Sequence, residues 1–141
     1  MVPPPGPGKV SVESIGSLLA SLMPEGAIVS DEGNTSGLWP YMATQAAAPH
    51  DWLMLTGGAI GQGIPLAVGA AVACPGRPVI NLQSDGSAMY TIQGLWTAAR
   101  ENLHVITLLL NNKSYAILNM ELDRVGATAQ SERSRSLLSL E

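Results

Sequence analysis

A carboxylate, Asp85, and a carboxamide, Asn112, stand just beyond two apolar runs of this chain, Val79-Ile80-Asn81-Leu82-Gln83 and Val105-Ile106-Thr107-Leu108-Leu109-Leu110. Short apolar runs bounded by polar and turn residues read as strands covered on both faces. Between them, residues 90–101 carry Leu95, Trp96, Ala98 and Ala99 at helical spacing. Strand, helix, strand implies a right-handed crossover and parallel neighbours. The carboxylate and the carboxamide then share one edge of the sheet, the edge at which open α/β sheets take their ligands. Oxygen donors of this kind suit Mg²⁺, which is held by one or two carboxylates with phosphates, carbonyls and water completing its shell. Gly86 would let a phosphate approach the main chain, and the amides around Ser87 could face it. Together the residues read as a Mg²⁺-diphosphate clamp. Taken singly, each piece reads more readily as an Asp-Gly turn or an ordinary polar strand end; the combination at this separation reads as the clamp.

The elements that must position these residues can be followed along the chain. Val12, Ile15, Leu18, Leu19 and Leu22 recur at helical spacing, and Pro24 with Gly26 ends that packing helix. Residues 27–31 form a first strand, entering the polar loop Glu32-Gly33-Asn34-Thr35-Ser36-Gly37. A helix is expected from near Leu38, packed by Trp39 and Tyr41, with the loop before it open to a simple capping role. Residues 52–55 form a second strand, followed by Gly57, Gly58, Gly61 and Gly63 ahead of an apolar helix from Ile64 to Ala73. Such glycines mean either a close approach to a ligand or close packing of helix on sheet. After Asn112, residues 115–122 read as a further helix. Strands alternating with helices predict an α/β fold, a mainly parallel sheet with helices on both faces.

Composition narrows the function. The 141 residues suffice for one domain with a proper core. With 46% hydrophobic and 13% charged residues the chain is globular, not disordered. A net charge of -4 with scattered basic residues speaks against nucleic acid and anionic membranes as partners. The single Cys74 excludes an internal disulfide and reads as a small buried residue. The longest apolar run, residues 66–74, is far short of a membrane span, and residues 1–8 do not resemble a signal sequence. A cytoplasmic protein is expected. No His/Cys cluster has zinc-ligand spacing, and no phosphate-loop lysine follows a glycine loop. His50, Arg100, Glu101 and His104 read as solvated residues without a role.

The clamp resembles the signature of thiamine-diphosphate enzymes, Gly-Asp-Gly, a spacer, then Asn-Asn. Here Ser84-Asp85-Gly86 is followed by residues 87–110 and then Asn111-Asn112. The likeness extends through Asp85-Gly86-Ser87-Ala88, Leu95-Trp96-Thr97-Ala98-Ala99 and Tyr115, and is greatest to benzoylformate decarboxylase, with acetolactate-synthase-like large subunits close behind. Ser84 departs from the usual first glycine, which matters only if the backbone there needs a positive φ. The resemblance implies metal ligation by Asp85, Asn112 and the Ser114 carbonyl, and diphosphate contacts from Thr35, Gly86 and Ser87. It adds Asn34 and Tyr115 as cofactor-binding residues, a Gly58 carbonyl facing the cofactor's amino group, and Ile60 wedged beneath the bent cofactor. Ile60 as plain core is the alternative. Ile117 and Leu118 would line an apolar substrate pocket, although a buried helix face explains them equally. Glu32 is expected to be a polar strand-end residue that positions its loop, because the family's catalytic glutamate lies on a pyrimidine-binding domain absent here. No catalytic residue is assigned to this chain.

By the same resemblance the complete enzyme decarboxylates a 2-oxo acid, with thiamine diphosphate and Mg²⁺ as cofactors and thiamine diphosphate as electron sink. A carboligase of the acetolactate synthase type, and a non-catalytic cofactor-binding or assembly module, are the alternatives. The expected domain is residues 10–128, between a linker remnant (1–9) and a truncated or mobile segment (129–141). Alone it is expected to be inactive and to need a pyrimidine-binding domain of the same or another subunit, in a homo-oligomer.

Overall fold

The computed structural model describes residues 10–127 and 131–140; the linker remnant expected at 1–9 lies outside them. The first helix, α1 (Val12–Leu22), starts at a reciprocal cap in which Ser11 Oγ accepts from the Ser14 amide and Ser14 Oγ accepts from the Ser11 amide. Strands β1 (Ile28–Glu32), β2 (Asp51–Met54), β3 (Val79–Ser84) and β4 (Val105–Leu110) follow. Their connections contain α2 (Leu38–Ala43), α3 (Gly63–Ala73), and the pair α4 (Asp85–Thr91) and α5 (Gly94–Arg100).

Every strand pairing is parallel, and the order across the sheet is β2-β1-β3-β4. The chain first steps from β1 to β2, then crosses back over β1 to reach β3. Right-handed connections running in opposite directions put their helices on opposite faces. One face carries the core of Leu19, Met23, Ala27, Val29, Ile80 and Leu82, which α1 covers. The other carries Ile28, Ala67, Ala71 and Val79, where α3 lies. The reversal between β1 and β3 is a topological switch point, at which the loops leaving two adjacent strands part and open a crevice.

The expected α/β architecture is present, with three local departures. The helical run at 90–101 is instead two short helices, the first beginning at Asp85 itself. They break at residues 92–93 so that Gly94 can abut α3, where an added Cβ would lie 2.6 Å from Ile64 Cγ2. Whereas β3 is buried nearly throughout, β4 is not. It is an edge strand of the sheet, as β2 is at the other side, and Ile106 and Leu109 remain 49% and 53% exposed. Trp39 does not pack as expected; it is 53% exposed, while Tyr41 meets Trp52 edge-on at 5.4 Å between ring centroids.

Beyond β4 come α6 (Ala116–Arg124) and α7 (Glu132–Ser136). The chain after α7 returns to the sheet edge, where Ser139 stands opposite Ser114 in an antiparallel bridge. The Tyr115 amide donates to the Leu138 carbonyl at 3.0 Å and the Leu140 amide to the Lys113 carbonyl at 2.9 Å. No helix among the described residues is long and apolar enough to cross a membrane.

Candidate functional site

The loops leaving β1, β3 and β4 meet in a concavity lined by Asn34, Thr35, Ser84, Asp85, Gly86, Ser87, Asn112, Ser114, Tyr115, Ala116 and Ile117. It holds about 300 Å³ of space continuous with solvent and lies at the carboxyl edge of the strands. Register explains the convergence. Glu32 pairs with Gln83 and Ser84 with Leu110, so the three strands end almost level.

Asp85 links two of these loops. Its Oδ1 accepts from the Gly86 amide at 3.0 Å and its Oδ2 from the Lys113 amide at 2.7 Å. The second bond spans the gap between the ends of β3 and β4. Each carboxylate oxygen has two lone-pair directions, so one on each stays open. The Asn111-Asn112-Lys113 turn shapes itself through its own carboxamides. Asn111 Oδ1 accepts from the Lys113 amide at 3.0 Å and Asn112 Oδ1 from the Ser114 amide at 2.9 Å. Lys113 takes the left-handed conformation this turn requires, with φ 57°. The Ser114 carbonyl accepts no hydrogen bond among the described residues. Its hydroxyl is engaged, donating to the Leu138 carbonyl at 3.2 Å and accepting from Asn119 Nδ2 at 3.1 Å.

The donor set of Asp85, Asn112 and the Ser114 carbonyl is therefore all oxygen, one charged and two neutral. That chemistry fits Mg²⁺ and not zinc. Among the described residues there is no group of three His, Cys, Asp or Glu side chains that could hold a metal. Any metal here would have the Asp85 carboxylate as its charged protein ligand and would otherwise depend on carbonyl and carboxamide oxygens and on phosphate from a ligand.

On the β1 side, Asn34 adopts φ 47°, a left-handed conformation asparagine tolerates. Its Nδ2 donates to Ser87 Oγ at 2.7 Å, joining the loop after β1 to the first turn of α4. Because that oxygen accepts from Asn34, the Ser87 hydroxyl proton is left for another acceptor. Thr35 is exposed in the mouth of the concavity. Ser84 causes no strain, since its φ is -75°, and its hydroxyl donates to the Glu32 carbonyl at 3.1 Å.

Gly86 is required first of all by Tyr115. A Cβ there would sit 2.8 Å from Tyr115 Cδ1 and 2.9 Å from Cε1. The tyrosine ring thus closes one side of the loop that sequence reasoning left to phosphate alone.

Three of the expected site residues are not brought into the concavity. Gly58 and Ile60 stand on the exposed loop after β2, where the Ile60 amide donates to the Gly58 carbonyl at 2.9 Å. Leu118 faces a different groove, with Glu121, Leu122, Val125 and Leu138. Conversely, Ser84 and Ala116 line the concavity and were not among the sequence candidates. Ser84 is signalled by its place at the head of the Ser-Asp-Gly motif; Ala116 carries no chemical signal.

Comparison with known proteins places the chain in a family. The family described as "Thiamine pyrophosphate enzyme, C-terminal TPP binding domain" matches residues 31–139. A Mycobacterium tuberculosis protein named "Putative acetolactate synthase large subunit IlvX" is 60% identical over 120 residues, covering 85% of this chain and 23% of that protein. Benzoylformate decarboxylase of Pseudomonas aeruginosa is 32% identical over 111 residues, covering 79% of this chain and 21% of its own length. The thiamine diphosphate-dependent 4-hydroxybenzoylformate decarboxylase of Rhodococcus jostii superposes with a TM-score of 0.76 at 27% identity, covering 93% of this chain and 24% of that one. The chain therefore spans about a quarter of the length of these relatives, and the stretch it shares with them contains the concavity, so that it belongs to the thiamine pyrophosphate enzymes as their C-terminal, cofactor-binding domain.

Proposed function

We propose that this domain binds the Mg²⁺-diphosphate end of thiamine diphosphate within an enzyme that decarboxylates a 2-oxo acid. Asp85, Asn112 and the Ser114 carbonyl would ligate the metal, while Thr35, Gly86 and Ser87 would hold the diphosphate, with Asn34 and Tyr115 completing the cradle. The observation that carries this reading is the bond from the Lys113 amide to Asp85 Oδ2. It ties the carboxylate to the Asn-Asn turn, while the Ser114 carbonyl in the same concavity accepts no hydrogen bond among the described residues. When bound, the cofactor supplies an electron sink for the bond-breaking step. The chain's own residues would anchor its charged tail. The Ser87 hydroxyl can donate a proton-bearing O–H to a phosphate oxygen without breaking its bond from Asn34.

Gly58 and Ile60 would meet the cofactor nearer its ring end, from the loop after β2. Ile117, which lines the concavity, would face the substrate side, whereas Leu118, on a different groove, is given no part in it. None of these residues is an acid or base, so proton transfer falls to a partner domain. The partner that fits is a pyrimidine-binding domain of the same or another subunit.

Carboligation of the acetolactate synthase type is the second reading, and the 60% identity to IlvX favours it. Both readings share the same anchoring step. Calorimetric titration with thiamine diphosphate tests that step: binding should require Mg²⁺ and be lost in Asp85→Ala. Binding of ATP as strong as that of thiamine diphosphate, or binding indifferent to Mg²⁺, would overturn it.

A further inference from the structure

The last residue of β1, Glu32, is 1% exposed, and its carboxylate serves a neighbouring strand's loop instead of its own. Glu32 Oε1 accepts from the Gly61 amide at 2.5 Å, and Oε2 accepts from the Gly63 amide at 2.8 Å and from Gln83 Nε2 at 3.0 Å. A buried carboxylate is tolerated when donors surround it in this way, and charge strengthens each bond. The fit leaves no slack. A Cβ on Gly63 would fall 2.5 Å from Gln83 Oε1 and 2.7 Å from Glu32 Cβ. A further tie comes from Thr91, whose hydroxyl donates to the Gly61 carbonyl at 2.9 Å. The other end of the loop is different, since Gly57 and Gly58 are exposed and have open space where a Cβ would be.

The preceding residue does the same for the adjacent loop. Successive strand side chains point to opposite faces. Asp31 accepts from the Gly33 amide at 2.8 Å through Oδ1 and from Trp52 Nε1 at 3.2 Å through Oδ2. One dipeptide at the tip of β1 thus holds the start of the Thr35 loop through Gly33 and the end of the glycine loop through Gly61 and Gly63.

We infer that Glu32, braced by Gln83, is the positioning residue for the glycine loop of residues 57–63, and so for the ring end of the bound cofactor. This rests on the proposed function, which gives that loop to thiamine diphosphate. Glu32 has no bond to Asp85, Asn112 or Ser114, so its loss should leave the diphosphate end alone.

The test combines residue-resolved amide hydrogen exchange with calorimetry on the unaltered chain, Glu32→Gln and Gln83→Met. In the unaltered chain the Gly61 and Gly63 amides should exchange about 100-fold more slowly than those of Gly57 and Gly58. Glu32→Gln keeps the volume but sets an N–H against one of the loop amides. It should speed exchange at Gly61 and Gly63 by about tenfold while Ile80 and Leu82 stay protected. Affinity for thiamine diphosphate should fall about tenfold and affinity for Mg²⁺-pyrophosphate should change less than about twofold, a split that general destabilisation would not produce. Gln83→Met should act in the same direction, more weakly, and decides the matter if Glu32→Gln does not fold. Unchanged exchange at Gly61 and Gly63, or equal losses for thiamine diphosphate and pyrophosphate, would overturn the inference. If the unaltered chain binds no thiamine diphosphate, the proposed function falls, and the exchange data still decide whether Glu32 holds the loop.

Discussion

The main-chain amide of Lys113 donates to the carboxylate of Asp85 at 2.7 Å, closing the gap between the tips of β3 and β4. Asp85 therefore has a structural duty before any ligand arrives. Asp85→Ala should cost about 1–2 kcal/mol in urea denaturation, since the bonds from the Gly86 and Lys113 amides are lost while the bond from the Lys113 amide to Asn111 Oδ1 remains. Asp85→Asn should cost less stability and still abolish Mg²⁺-dependent cofactor binding, because the formal charge is gone while the side chain's shape remains.

The contact of Gly86 with Tyr115 makes a second prediction. Gly86→Ala places a methyl against the ring edge, and such overpacking costs about 1–3 kcal/mol. In a Tyr115→Ala background the same substitution should cost much less. A double-mutant cycle by chemical denaturation should give a coupling of at least about 0.5 kcal/mol. Additive effects would mean that the ring does not press on this loop.

The core predicts a sharp contrast between two leucines on the α1 face. Leu82 is fully buried, whereas Leu22 is 72% exposed. Leu82→Ala should destabilise by about 2–5 kcal/mol and Leu22→Ala by less than about 0.5 kcal/mol. Denaturant midpoints of the two variants check this directly.

The uncovered edge strand makes a prediction about association. Parallel strands at a sheet edge with exposed apolar side chains invite pairing with another chain. With Ile106 and Leu109 about half exposed on β4, the isolated chain should scatter light as a species heavier than one chain. Ile106→Lys with Leu109→Lys should shift it toward monomer. A monomer at all concentrations before substitution would contradict this.

Much of the candidate site is legible because the residues that line it are local in sequence. Asp85-Gly86-Ser87 and Asn111-Asn112 each lie at the end of an apolar run, and strand-helix-strand handedness carries both to one edge. What stayed hidden depends on contacts between distant segments. Nothing in the sequence reveals that Tyr115 sits against Gly86, or that Glu32 reaches the amides of Gly61 and Gly63. The break in the helical run is of the same kind, because it answers to Ile64 on another helix. β4 is less buried than its sequence predicts because an apolar strand reads alike at a sheet's centre and at its edge.

The central claim is that one divalent ion is held between the tips of β3 and β4 by Asp85, Asn112 and the Ser114 carbonyl. A crystal structure of the chain with Mg²⁺ and thiamine diphosphate tests it most directly. The predicted result is an ion at about 2.0–2.1 Å from one oxygen of each of the three residues and from diphosphate oxygens. An ion bound without Asp85 or Asn112, or a diphosphate lying outside the concavity they line, would contradict it.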